Sequence, residues 1–203
     1  MGRLRTPFIV DVRSDAGVRA PSRANGGTPR LVRYFIDTEF CERGHGKPID
    51  LISIGIVAED GREYYAVNAS FKTRHANPWV KANVLPKLPK RNVSQLDGPR
   101  LQNEAMLWKP YDLIAQQIVR FIDDDNAPEF WGWCCDFDYV VVSQLIGFNR
   151  WPSAWPYYFR DLQQVIDEGR RDISEVERTG NHTAIEDARE MKRIWEYLAE
   201  ANP

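Results

Sequence analysis

Two carboxylates on alternate residues of an apolar segment, Tyr34-Phe35-Ile36-Asp37-Thr38-Glu39-Phe40, are the first residues in this chain whose types and spacing could do chemistry. Aromatic and β-branched residues dominate the segment, so it reads as a strand. Strand side chains repeat every second residue, which puts Asp37 and Glu39 on one face about 6.5–7 Å apart. Two acids on one face repel each other and resist burial, and a divalent cation between them would relieve both penalties. The competing reading is a strand end whose acids are simply solvated.

Two later stretches bear on that choice. In Trp131-Gly132-Trp133-Cys134-Cys135-Asp136-Phe137-Asp138 a buried-type strand delivers acids to the start of a helix. Capping or first-turn charge would account for one of those acids more readily than for two. In Asn181-His182-Thr183-Ala184-Ile185-Glu186-Asp187-Ala188, His182 and Asp187 are five positions apart. On a continuous helix they would diverge by about 140°. Thr183 and Glu186 fit a capping box, which makes Thr183 the cap, His182 the residue before it and Asp187 the fourth helical position. Those two outer positions meet in a hydrophobic staple, so the geometry brings an imidazole beside a carboxylate.

The elements that must position these groups follow from the pattern. Strands are expected at Leu31–Phe40, Asp50–Ala58 and Glu63–Asn68, the last two joined by the Asp60-Gly61 turn, as an antiparallel meander. Asn77-Pro78 opens a short helix, and a polar, proline-punctuated connection runs from Lys87 to Lys109. Leu113, Ile114, Ile118, Phe121 and Ile122 mark a helix after Pro110. A fourth strand is expected at Glu129–Cys135, a helix at Tyr139–Ile146, and a short fifth strand after the aromatic loop Trp151–Phe159. Further helices begin at Asp161 and Thr183. The Trp-rich segments between Trp131 and Trp155 read as core and dimer contacts rather than base platforms. The sum is an α/β domain with a mixed five-stranded sheet and helices on both faces.

Composition narrows the function classes. The 203 residues are 43% hydrophobic with a formal net charge of -2, enough for a substantial core but no general polyanion binder. Cys41, Cys134 and Cys135 fit neither a disulfide framework nor zinc spacing, and a reduced, cytoplasmic setting suits them. No apolar run approaches a membrane span. Residues 1–30 differ from the remainder: up to Arg33 there are seven Arg against Asp11 and Asp15, so they read as a poorly ordered basic extension ahead of a domain at 31–203.

The order Asp-x-Glu on the first strand, Asp138 after the fourth, and His-x4-Asp opening the last helix resembles the histidine branch (DEDDh, DnaQ-like) of the 3′-5′ exonucleases. Within it, Tyr34–Phe40, Leu51–Val67, Val84–Pro89 and the Trp131-Gly132-Trp133 strand look most like the RNase AS family of polyadenylate-specific exoribonucleases. The resemblance implies an RNase H-like fold and two-metal hydrolysis with Mg²⁺ (or Mn²⁺) held by Asp37, Glu39, Asp138 and Asp187. It makes His182 the general base and single-stranded, adenylate-rich RNA with a free 3′ end the substrate, in a homodimeric cytoplasmic enzyme. Phe40 is expected as a base platform and Thr38 as a second substrate contact. Two departures stand out: Ser53 replaces a Glu of many relatives, and the connection between Pro86 and Pro110 is long. The residues themselves leave open a DNA-directed or oligoribonucleotide-trimming exonuclease, and a non-catalytic RNA-binding module.

Overall fold

The computed structural model describes residues 31–92, 103–122 and 127–200, so the basic extension expected at 1–30 lies outside the described residues. Strands β1 (Leu31–Cys41), β2 (Asp50–Ala58) and β3 (Glu63–Asn68) form the expected antiparallel meander. Strand β4 (Trp108–Lys109) adds in parallel to β3, β5 (Ala127–Gly132) in parallel to β1, and β6 (Arg160–Asp161) in parallel to β5. The order is β4-β3-β2-β1-β5-β6. Among the described residues the sheet therefore has six strands rather than five. The extra strand, β4, is two residues inside the polar connection, too short to carry a periodicity. The middle of that connection, residues 93–102, lies outside the described residues.

Helix α1 (Pro78–Asn83) starts as its sequence dictates, with Pro78 in the first turn and the Asn77 side chain accepting from the Val80 N–H at 2.8 Å. Helices α2 (Tyr111–Phe121), α3 (Asp136–Ile146), α4 (Leu162–Gly169) and α5 (Ala184–Glu200) follow. Helix α3 begins three residues before the expected Tyr139, which brings both Asp136 and Asp138 into its first turn, and neither acid is its cap. Asp161 caps α4 through the Gln163 and Gln164 N–H groups and also accepts from the Cys135 N–H at 3.0 Å, tying that helix to the turn before α3.

Alternation along β1 divides the interior. Tyr34 and Ile36 face α2 and α3, packed with Ile54, Ile56, Ile114, Ile118, Phe130 and Leu145. Phe35 faces α4 and α5, packed with Val57, Trp131, Leu162, Ile185, Ala188 and Met191. A smaller cluster of Cys41, Ile52, Phe71, Val80 and Val84 seats α1. Trp131, Trp151 and Trp155 are buried, which accords with core packing.

One small residue sets the position of α5. Gly55 lies opposite Asp37 across the β1–β2 ladder, and a β-carbon built on it would stand 2.3 Å from the Ala184 carbonyl oxygen. The first turn of α5 thus rests directly on the sheet beside the acidic strand. Gly55→Ala is expected to lift α5 and lower stability by about 1–3 kcal/mol. Thermal unfolding by circular dichroism checks this, and an unchanged midpoint would remove the contact from the account.

Candidate active site

Asp37 and Glu39 project from the α5 side of β1, Asp37 beside Gly55 and Glu39 opposite Ser53. Pairing of β1 with β5 ends at Phe35 and Trp131, so beyond Phe35 that edge of β1 is released from the ladder. The Thr38 N–H on this free edge donates to the Asp138 Oδ1 at 2.8 Å, and the Thr38 hydroxyl donates to the same oxygen at 2.5 Å. Asp138 therefore reaches the acidic strand from α3 through the gap where two strands part. It is 6% exposed, while Asp136 points to solvent.

His182 and Asp187 arrive from the opposite side. Thr183 accepts the Glu186 and Asp187 N–H groups on its carbonyl oxygen, and the Asp187 Oδ2 accepts back from the Thr183 N–H at 3.1 Å. The expected box closes through Asp187 rather than Glu186, whose carboxylate is held by Arg189 at 2.5 Å. His182 has φ +46°, a left-handed conformation that a non-glycine residue adopts only when its surroundings impose it. Donor atoms of Glu39, His182 and Asp187 lie within 4.8 Å of one another. A cavity of about 290 Å³ joins Asp37, His182 and Asp187 to Trp133, Arg178 and Met191.

The electrostatics are those of acids crowded away from water. Burial, then the charges of Asp138, Glu39 and Asp187, hold the Asp37 carboxyl well above the usual carboxylate range. Burial and then Asp187 push Glu39 up to about 8, against the pull of Lys87. Asp138 is pushed up to about 7 by burial despite its hydrogen bonds from Thr38, and burial raises Asp187 against the Thr183 N–H. Such a cluster needs positive charge, and its all-oxygen carboxylate set with one imidazole fits divalent cations such as Mg²⁺ or Mn²⁺.

Two expected substrate contacts sit differently from their sequence reading. Thr38 is 5% exposed, and its polar groups are turned to Asp138 rather than outward. Phe40 is half-buried and stacked on Phe137 with ring centroids 5.4 Å apart, leaving Phe137, 47% exposed, as the outer ring. Two neighbours escaped the sequence reading. Trp79, 52% exposed, sets its ring 4.9 Å from that of His182, edge to face. The Lys87 ammonium donates to the Asn181 carbonyl at 2.6 Å. The available signals were a tryptophan directly after the helix-opening Pro78 and a lysine between Pro86 and Pro89.

A pH dependence follows from the raised acids. Glu39 and Asp138, with folded values of about 8 and about 7, bind protons more tightly in the folded state than in the unfolded chain, whose values are about 4. Their contribution to stability is complete below pH ~4 and is lost as pH rises through 7 to 8. In EDTA the unfolding midpoint should fall by at least about 4 °C between pH 5.5 and 8.5. A flat midpoint in a calorimetric series would contradict the crowded-acid picture.

Comparison with known proteins identifies the family. Residues 32–199 match the family model of the 3′-5′ exoribonuclease Rv2179c-like domain. The 3′-5′ exoribonuclease Rv2179c of Mycobacterium tuberculosis is 39% identical over 165 residues, which cover 80% of this chain and 90% of that protein. A second strain's 3′-5′ exoribonuclease MT2234.1 matches with the same figures. Among solved structures, the RNase domain of the yeast Pop2 protein superposes with a TM-score of 0.54 at 13% identity, covering 85% of this chain and 77% of that one. Pop2p of S. pombe, in a form with Mg²⁺ and Mn²⁺ bound, gives 0.50 at 14% identity, covering 86% and 84%. The fold is thus RNase H-like, and the chain belongs to the Rv2179c-like 3′-5′ exoribonuclease family, hydrolases that act on RNA.

Proposed function

We propose that this exoribonuclease is metal-dependent, removes nucleoside 5′-monophosphates from the free 3′ end of single-stranded RNA, and prefers adenylate-rich tails. In this reading Asp37, Glu39, Asp138 and Asp187 hold two Mg²⁺ ions (or Mn²⁺), and His182 is the general base. The observation that carries it is the convergence of carboxylates from β1, α3 and α5 with one imidazole at a single cleft. The Mg²⁺ and Mn²⁺ of the S. pombe Pop2p structure support the choice of ion. The likeness of several stretches to RNase AS supports adenylate, a homodimer and a cytoplasmic location.

Divalent cations in such a cleft offset phosphate charge and make water more acidic. The chain's own groups do the rest. Neutral His182 accepts a proton from the attacking water at a ring nitrogen, and Asp187 beside it stabilises the imidazolium that forms. Trp79 against the ring restricts its rotation. Thr38 fixes Asp138 by donating twice to one oxygen, which leaves the other oxygen free for the cleft. Lys87, exposed and close enough to act on Glu39, places a positive charge where a phosphate would approach. The exposed ring of Phe137, backed by Phe40, offers a face to a terminal base.

The deciding experiment incubates 5′-labelled poly(A), a mixed-sequence RNA and a matched single-stranded DNA with the protein in Mg²⁺, Mn²⁺ or EDTA. Stepwise shortening is expected, fastest on poly(A), absent in EDTA and absent in Asp37→Ala. Equal rates on the two RNAs would remove the adenylate preference, and preference for DNA would move the enzyme to another substrate. Shortening that persists in EDTA would end the metal reading.

His182→Ala should fold normally and bind RNA as the parent does, with kcat reduced by about 10²–10⁴. Unchanged turnover would take His182 out of the mechanism.

A further inference from the structure

Glu190 is a buried carboxylate that borders the cavity of Asp37, His182 and Asp187 but is not one of the four acids assigned to the metals. It lies on α5 one turn beyond Asp187 and is 6% exposed. Both of its oxygens are occupied by one short segment. Oε1 accepts from the Arg178 guanidinium at 3.1 Å, and Oε2 accepts from the Thr179 N–H at 2.6 Å and the Thr179 hydroxyl at 3.1 Å. The Arg178 guanidinium also lies over the Trp133 ring, 4.1 Å from its centroid.

Four residues on, the same segment delivers His182. Between them Gly180 is left-handed at φ +52°, Asn181 is held by Lys87 through its carbonyl, and His182 is left-handed at φ +46°. Thr183 then closes onto Asp187. Residues 178–183 thus form a strap, exposed at 178–181 and half-buried at His182 and Thr183, fastened at its two ends by two carboxylates of one helix. A left-handed histidine is strained and persists only where its flanks are fixed. The Thr183 end is fixed by the start of α5, and the other end, among the described residues, by Glu190 and the Arg178–Trp133 contact.

We infer that Glu190 is a positioning residue that anchors the 178–183 strap and, through it, holds His182 over the catalytic acids. The inference rests on the reading of His182 as the general base. Carboxylate is the fitting anchor because the strap presents only donors to it: a guanidinium, an amide N–H and a hydroxyl. An amide of the same size would turn its NH₂ toward one of those donors.

Glu190→Gln tests this. Its kcat should fall about tenfold with KM for RNA unchanged, since the strap carries the base and not the RNA. In a His182→Ala background the same substitution should have no further effect on kcat, because both changes remove one function. A general loss of fold integrity would instead multiply the two defects, and that outcome would overturn the inference. So would a parental kcat in Glu190→Gln.

A second readout does not depend on turnover. Amide hydrogen exchange at Thr179 should accelerate in Glu190→Gln, and the His182 ring resonances should move toward those of a free histidine. Unchanged exchange and an unchanged ring would show that Glu190 does not hold the strap. If His182→Ala left turnover intact while these signals moved, the strap would stand and the base assignment would fall.

Discussion

The close seating of α5 on Gly55 is the contact on which the rest of the site depends. Asp37 and Glu39 lie on β1, and Asp187 and the His182 strap belong to the beginning of α5. Nothing local brings these pieces together. A helix axis usually stands off a sheet by the thickness of its side chains, and here that thickness is zero at one point because residue 55 has no side chain. The helix end, with its N–H dipoles and its carboxylate, can then descend to the level of the acidic strand.

The opposite wall uses an absence of another kind. The parallel ladder between β1 and β5 stops at Phe35, and Thr38 is left with an amide that β5 does not satisfy. A buried N–H must find an acceptor, and Asp138 from α3 supplies it. The splitting of two strands therefore recruits an acid to the cleft from the far face of the sheet. One strand, β1, so gathers groups from helices packed on both sides of it. The cost of that gathering is electrostatic: four carboxylates drawn out of water are all raised, and the protein holds them there by hydrogen bonds from Thr38 and Thr183.

Aromatic rings frame this cleft unevenly. Phe137, backed by Phe40, lies on the side of Asp138, and Trp79 lies on the side of His182. Phe137 and Trp79 are both exposed, and so present apolar faces beside Asp138 and His182. Phe40 was the ring legible in the sequence because it follows Glu39 directly. Which ring of a stacked pair faces outward depends on the path of α3, and no spacing along the chain encodes that.

The sequence by itself determined the longer elements and the residue types they carry. Period-two alternation in 31–68, Asn77-Pro78 at a helix start and a staple-like His182 and Asp187 are local signals, set by backbone geometry within a few residues. Asp37, Glu39, Asp138, His182 and Asp187 were readable as candidates through their order along the chain and its resemblance to a known motif, each piece being weak alone. Only the tertiary structure decided how they meet. That Gly55 is a seat for α5, that Thr38 faces Asp138, that Lys87 and Trp79 border the cleft and that Glu190 holds the strap are contacts between residues from 11 to 129 positions apart. Each is a matter of which atoms are brought within a few ångströms by the folding of distant segments, and a linear pattern carries no record of that distance.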